Sequence, residues 1–191
     1  YKTDSRTLVL TGSGDMYEYA TSSAFPWWVF KDSTLTIELP QSLTSISQQA
    51  FWGSSASLIT PLPDSVVWVG ASAFLGSMWY EWQPNGPIYV GKALYTYKSN
   101  SVLQGDSIVI DDGTVSISPK AFYYTSSPTS TQKFSVTMPR SVTIIGKKAF
   151  ADRKLSSITC LAEEPPTCEA DVFYGVNKKT PVYVPASAID D

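Results

Sequence analysis

The chain has 191 residues, of which 43% are hydrophobic and 16% charged, so it can build a substantial core and is not intrinsically disordered. Its net charge is −3, and the basic pairs Lys147–Lys148 and Lys178–Lys179 fall short of the cluster that nucleic acid or an anionic membrane requires. No apolar run approaches the roughly 20 residues of a membrane-spanning helix.

The first 34 residues are predicted to form an N-terminal lead-in. The stretch LVLTGSGDMYEY, residues 8–19, places its glycines in a predicted hairpin turn. It is followed by FPWW, which contains Trp27 and Trp28. We expect these two tryptophans, together with Trp52, to lie in the core where the first coil must be capped.

A thirteen-residue phrase then recurs along residues 35–173. It reads LPQSLTSISQQAF at 39–51, LPDSVVWVGASAF at 62–74 and MPRSVTIIGKKAF at 138–150. An Ala-Phe pair ends each copy and also occurs at Ala121–Phe122, with steps of 23, 48 and 28 residues between the phenylalanines. The long step contains a weaker copy, with Ala93–Leu94 in the Ala-Phe place and an irregular repeat over 75–106. These steps predict about six units with the period of a leucine-rich-repeat solenoid.

Each position of the unit has a physical reason. Alternating apolar residues predict a strand, and proline ends the strand because it has no N–H. A Ser or Gly suits a bend, alanine permits close stacking, and phenylalanine fills the core. Four phenylalanines should form one buried column, continued by Leu94 and Phe173: Phe51, Phe74, Phe122 and Phe150. The residues expected to face outward from the strands are Thr36, Glu38, Ile59, Pro61, Ser107, Val109, Ser135 and Thr137.

The fold class follows from this recurrence. We predict a mainly β protein with short helical turns, built as a right-handed solenoid of about six coils in a single domain over 1–191, with a closing strand in 174–191. A β-sandwich also explains strands and turns, but it does not explain an Ala-Phe pair that returns at near-fixed steps.

The pattern P-x-S-V-T-x-I-G-x-x-A-F at 138–150 resembles the BspA-like leucine-rich repeats of bacterial surface proteins, which are common in Bacteroides. The copies at 62–74 and 39–51 fit with small changes, and ITCLAEEPPTCEADVF at 158–173 resembles the terminal repeat of that family. The resemblance implies export or surface display, adhesion or protein binding, and no transferable catalytic residues.

The residues offer little for catalysis or for metal binding. Histidine is absent, and with it the commonest general base and metal ligand. We expect no enzyme activity, no cofactor and no metal. Asp111 and Asp112 are interpreted as a turn rather than a Ca²⁺ site, because no further oxygen ligands follow at set spacing. Cys160 and Cys168 are either a small disulfide loop or two separate thiols.

The least regular stretch is SMWYEWQPNGPIY, residues 77–89. Its aromatic side chains either form an exposed platform for a partner or pack as a local core under a long loop. The candidate residues are Trp79, Tyr80, Trp82 and Tyr89.

Two functions remain open at this point. The first is a non-enzymatic, secreted or cell-surface module for recognition or adhesion, which binds a protein or glycan partner through the sheet face and the 77–89 segment. The second is a structural spacer within a larger surface protein. The extracellular location rests on the resemblance, because this chain carries no signal peptide. The pattern does not predict an oligomeric state.

Overall fold

The computed structural model describes residues 1–99, 107–123 and 133–188. It divides the chain into two compact units, Tyr1–Pro84 and Asn85–Asp191. Parts of the expected repeats, namely 100–106 and 124–132, and the end of the closing segment, 189–191, lie outside the described residues.

The first unit is built from coils that each contribute one strand to each of two parallel sheets. Parallel pairing follows because every coil repeats the same chain direction. The first sheet contains β1 (Thr7–Val9), β3 (Thr36–Glu38) and β5 (Leu58–Ile59), in that order; the second contains β2 (Gly14–Asp15), β4 (Leu43–Ile46) and β6 (Trp68–Val69), in that order. Short 3-10 turns occupy Ser22–Ala24 and Trp28–Phe30, and a single helix turn, α1, spans Met78–Trp82.

The second unit repeats this plan and begins with an antiparallel hairpin. The hairpin strands are β7 (Gly86–Val90) and β8 (Ala93–Lys98). Strand β8 also pairs in parallel with β10 (Ser116–Ile117), and the sheet continues from β10 to β12 (Ile144–Ile145) and then to β14 (Thr167–Cys168). The other sheet is parallel and contains β9 (Ser107–Val109), β11 (Phe134–Met138), β13 (Leu155–Cys160) and β15 (Val182–Tyr183), in that order; a 3-10 turn follows at Ala186–Ala188.

A third ladder of hydrogen bonds joins the coils at their corner turns. The N–H of Phe51 donates to the carbonyl of Ala73 at 2.8 Å, and the N–H of Phe122 donates to that of Ala149 at 2.9 Å. One residue of each turn has left-handed backbone, with φ between 56° and 60°. These residues are Gln49, Ser72, Lys120, Lys148 and Asp171. A coil is therefore a strand, a second strand and a tight corner, which confirms the repeat.

Stacked aromatic rings fill the inside of each unit. In the first unit, Phe51 packs on Trp27 and Phe74, with ring centroids 5.9 and 5.4 Å away. In the second, Phe122 and Phe150 stack at 4.8 Å. Phe51, Phe74, Phe122 and Phe150 are at most 2% exposed, which confirms their predicted burial.

The expected ends of the stack need two corrections. Tyr97, not Leu94, takes the phenylalanine place: its N–H donates to Ala121 and its ring lies 5.7 Å from Phe122. Leu94 is buried, but it pairs in β8 with Ile117 of β10. Phe173 stacks on Phe150 yet is 37% exposed, because it lies in the last corner turn of the described chain.

The lead-in differs from the prediction as well. Strands β1 and β2 do not form a hairpin with each other; the glycine-rich link carries the chain from one sheet to the other, and each strand pairs with the next coil. Residues 1–19 therefore already form a coil. Trp27 and Trp28 are partly buried, but Trp52 is 41% exposed, because its ring stacks on Trp28 at the surface instead of entering the core.

The Ser or Gly before each corner marks a close approach between coils. A Cβ added to Gly70 would lie 2.3 Å from the backbone nitrogen of Gln48, and one added to Gly146 would lie 2.4 Å from that of Pro119. Glycine is required at these two positions because the preceding coil leaves no room for a side chain.

Candidate interaction surfaces

Four of the predicted outward residues share one face of the second unit. Ser107 and Val109 lie on β9, and Ser135 and Thr137 lie on β11, in register with each other. Burial alternates along β11, with Phe134 and Val136 inside, so the two hydroxyl residues point away from the core. The prediction of their orientation is confirmed.

The same face continues over two strands whose outward residues the sequence prediction did not include. Ser157 of β13 continues the row of Ser107 and Ser135; Thr159 and then Tyr183 continue the row of Val109 and Thr137. The signal is present in the sequence as Ser, Thr and Tyr at alternate positions, but a register shift after Phe134 hides it. We call this set the hydroxyl face; its residues are Ser107, Ser135, Ser157, Val109, Thr137, Thr159 and Tyr183.

The hydroxyl face carries no charged side chain. Val109 is 64% exposed at one edge and Tyr183 is 58% exposed at the other, with the serine and threonine hydroxyls between them. Hydroxyl groups both donate and accept hydrogen bonds, and they cost less to dehydrate than charged groups. The face can therefore meet a polar or a mixed partner surface.

The predicted outward residues of the first unit do not all face outward. Glu38 ends β3 and approaches Lys2 at 3.8 Å, and Thr36 is partly exposed. Ile59 was predicted to face outward, but it is 4% exposed and pairs with the buried Ile37, while Leu58 is 52% exposed. A register error of one residue reverses the direction of a side chain.

The aromatic segment 77–89 is a helix turn and a strand rather than a loop. Ser77 caps α1 by accepting a hydrogen bond from the Tyr80 N–H at 3.1 Å. Trp79 and Tyr80 are only 6% and 8% exposed, and the Trp79 ring lies 4.7 Å from Phe74. These two rings are core, which corrects their assignment to the interaction surface. Trp82 is 67% exposed.

Tyr89 is half-buried and forms a hydrogen bond with the neighbouring turn. Its hydroxyl accepts a hydrogen bond from the Asp111 N–H at 2.9 Å. Burial, followed by the nearby Asp111 carboxylate, raises the pKa of Tyr89. Thr114 donates its N–H to Asp111 at 3.2 Å, so Asp111 and Asp112 belong to a turn, as predicted.

Within the described ranges, three or more His, Cys, Asp or Glu side chains do not gather anywhere into a possible metal site. Cys160 is buried, Cys168 is exposed, and both are free thiols. Burial, followed by the proximity of Cys160, raises the pKa of Cys168. In the same part of the chain, no helix has the length and apolar character that crossing a bilayer demands.

Comparison with known proteins agrees with the coil geometry. Residues 24–125 and 92–189 match a family model described as a BspA type leucine rich repeat region, with six copies. A solved leucine-rich repeat protein from Eubacterium ventriosum is 19% identical, with a TM-score of 0.44; the alignment covers 83% of this chain and 40% of that one. This chain thus spans well under half of that protein. No curated protein matches the chain.

Proposed function

Because this chain belongs to the BspA-type leucine-rich-repeat family, we propose that it is a non-enzymatic recognition or adhesion module that binds a protein partner outside the cytoplasm. The hydroxyl face is the proposed binding surface. Repeat architectures of this kind present extended sheet surfaces rather than deep pockets, which suits protein interaction.

The observation that carries the proposal is the composition of the hydroxyl face. Uncharged hydroxyls lie in two rows across parallel strands, with exposed Val109 and Tyr183 at the margins. Charged groups are depleted at the centre of protein interfaces, and tyrosine is enriched in interfaces relative to the rest of the surface. Tyr183 is therefore the proposed anchor, and the hydroxyl rows supply hydrogen bonds around it.

The size of the face indicates how strongly one module binds. Four strands spaced about 4.8 Å apart span about 14 Å, and the three residues from one row to the other, at about 3.3 Å each, span about 10 Å. The flat area is then about 140 Å², against about 800 Å² per partner in a standard interface. We therefore propose weak binding by one module and strong adhesion only when many copies act together.

The test uses an array of purified extracellular proteins and ectodomains, probed with the whole chain as a monomer and as a multimer on beads. The Thr137→Arg variant places a long cation at the centre of the hydroxyl face and should abolish a saturable signal. The matched control is Thr167→Arg, at an exposed threonine of β14 in the other sheet of the same unit. Equal melting temperatures exclude a folding effect.

The alternative function is a spacer, and the burial of Trp79 and Tyr80 favours it because it removes the aromatic platform from the surface. A spacer predicts no saturable signal on the array, in either format. A signal that survives Thr137→Arg would refute the hydroxyl face while leaving recognition in place. Trp82 would then be the next residue to replace, since its ring is exposed.

A further inference from the structure

A small cleft lies in the first unit, apart from every residue that the proposed function uses. Its volume is about 190 Å³, and Asp15, Tyr17, Tyr19 and Trp27 contribute to its lining together with residues 11–13. We propose that this cleft binds one ring of a neutral saccharide. The proposal does not depend on the hydroxyl face of the second unit.

Tyr17, Tyr19 and Trp27 form the aromatic wall of the cleft, and Phe25 packs on both Tyr19 and Trp27. Tyr17 meets Tyr19 edge to face at 4.9 Å, Tyr19 packs on Phe25 at 4.6 Å, and Phe25 packs on Trp27 at 4.9 Å. Phe25 is 2% exposed, whereas Tyr17 is 72% exposed. The buried Phe25 ring therefore supports the exposed Tyr17 ring only through Tyr19, and the Tyr17 ring offers the apolar face on which the C–H groups of a sugar ring stack.

Hydrogen bonds from the neighbouring coil hold this wall in place. The Trp27 indole N–H donates to the Ala50 carbonyl at 2.8 Å. The Ser47 hydroxyl donates to the carbonyls of Met16 and Tyr17 at 3.0 and 2.8 Å. The exposed Tyr17 ring thus extends from a backbone that is fixed before any ligand arrives, which lowers the entropy lost on binding.

The polar part of the lining, residues 11–13 and Asp15, is held by the next coil. The Ser42 hydroxyl donates to the Gly12 carbonyl at 3.0 Å, and the Gly14 N–H donates to the Ser42 carbonyl at 2.9 Å. The Asp15 carboxylate accepts the Thr44 hydroxyl at 2.6 Å. A lining that combines aromatic rings with a few acceptors held in place suits a small ligand rich in hydroxyl groups.

Charge and size select the class of ligand. The lining contains the Asp15 carboxylate and no lysine or arginine, so it disfavours anionic sugars and phosphates. The cleft is smaller than the roughly 300–1,000 Å³ of pockets for drug-sized ligands, which limits it to a single ring. A quaternary ammonium also binds aromatic rings and is attracted by the Asp15 carboxylate, but its ammonium group donates no hydrogen bonds to the acceptors of the lining, so choline is the competing probe.

The test is saturation-transfer NMR of the whole chain with the methyl glycosides of glucose, galactose, mannose and N-acetylglucosamine, with choline chloride as the competing probe. At least one glycoside should bind saturably with a Kd on the order of 1 mM, as one shallow ring contact allows. Tyr17→Ala should weaken that binding at least about tenfold, and Tyr17→Phe, which keeps the ring, should preserve it.

Two controls separate this site from the rest of the chain. Tyr174→Ala removes a tyrosine of similar exposure, 61%, from the second unit and should leave glycoside binding unchanged. Thr137→Arg should also leave it unchanged, so a failure of the hydroxyl face is distinguishable from a failure of the cleft. Saturable binding of choline alone, no saturable binding of any glycoside, or full binding by Tyr17→Ala would each overturn the proposal.

Discussion

Replacing Gly146 by alanine adds one methyl group where two coils touch. The new Cβ would lie 2.4 Å from the Pro119 nitrogen and 2.8 Å from the Ser118 carbonyl carbon, whereas ordinary contact begins at 3.4 Å. These atoms belong to backbone, so no side chain can move aside. The coils must separate locally by about 1 Å, which is the difference between the present and the ordinary distance.

The loss of stability comes from the hydrogen bonds between the two coils, which this separation stretches. The Gly146 N–H donates to Ile117 at 2.8 Å and the Thr143 N–H donates to Val115 at 2.9 Å. About 1 Å more places both beyond hydrogen-bonding distance. Two or three lost bonds at about 1 kcal/mol each give a destabilisation of about 2–3 kcal/mol, in the range of other overpacked cores.

The matched control is Ser118→Ala, at the same position of the preceding coil. Ser118 is fully buried, and its hydroxyl has no hydrogen-bond partner among the described residues. Removing that hydroxyl should leave stability unchanged or raise it by up to about 1 kcal/mol. Substitution by alanine is thus expected to lower stability at Gly146 but not at Ser118 in the neighbouring coil.

Urea unfolding followed by far-ultraviolet circular dichroism measures both variants. All six tryptophans lie within residues 1–84, so tryptophan fluorescence reports on the first unit, whereas circular dichroism reports on the strands of both units. The midpoint should fall for Gly146→Ala with an unchanged m-value. A loss of less than about 1 kcal/mol would show that the coils separate freely and that the close approach does not select glycine.

Three further outcomes are expected. Phe122→Ala should cost about 3–5 kcal/mol in urea unfolding, and Phe173→Ala markedly less, since Phe122 is fully buried and Phe173 is 37% exposed; equal losses would contradict the stack. Replacing Ser72, which has φ 57°, by glycine should raise the free energy of unfolding by about 0.5 kcal/mol, and replacing it by valine should lower it by about 1–2 kcal/mol, both measured by thermal unfolding. A valine variant as stable as the original chain would show that the corner relaxes. Cys168 should react with Ellman's reagent in the native state, whereas Cys160 should react only after denaturant is added. The reaction rate of Cys168 should rise only at a pH above the ordinary thiol pKa, because its raised pKa keeps the thiol protonated. A midpoint of the rate-against-pH curve at or below the ordinary thiol pKa would contradict this.

The repeat could be predicted because its causes are local. Proline ends the strands, apolar alternation defines the sheet faces, and an Ala-Phe pair marks each corner. These features recur within one coil, so burial of Phe51, Phe74, Phe122 and Phe150 was readable from spacing alone. Half of the hydroxyl face, on β9 and β11, was readable in the same way, because the apolar period along β11 is regular.

Tertiary structure decided what lies between regular repeats. Ile59 faces inward because it pairs with Ile37, which also faces inward. Tyr97 takes the place expected for Leu94 in the stack, because Leu94 lies in strand β8 and pairs with Ile117 of β10. Both depend on register against another coil, where a shift of one residue reverses a side chain. Trp79 was buried by α1, whose position over Phe74 has no signature in the sequence. The aromatic cleft likewise exists only because side chains from the next coil fix the backbone that carries Tyr17.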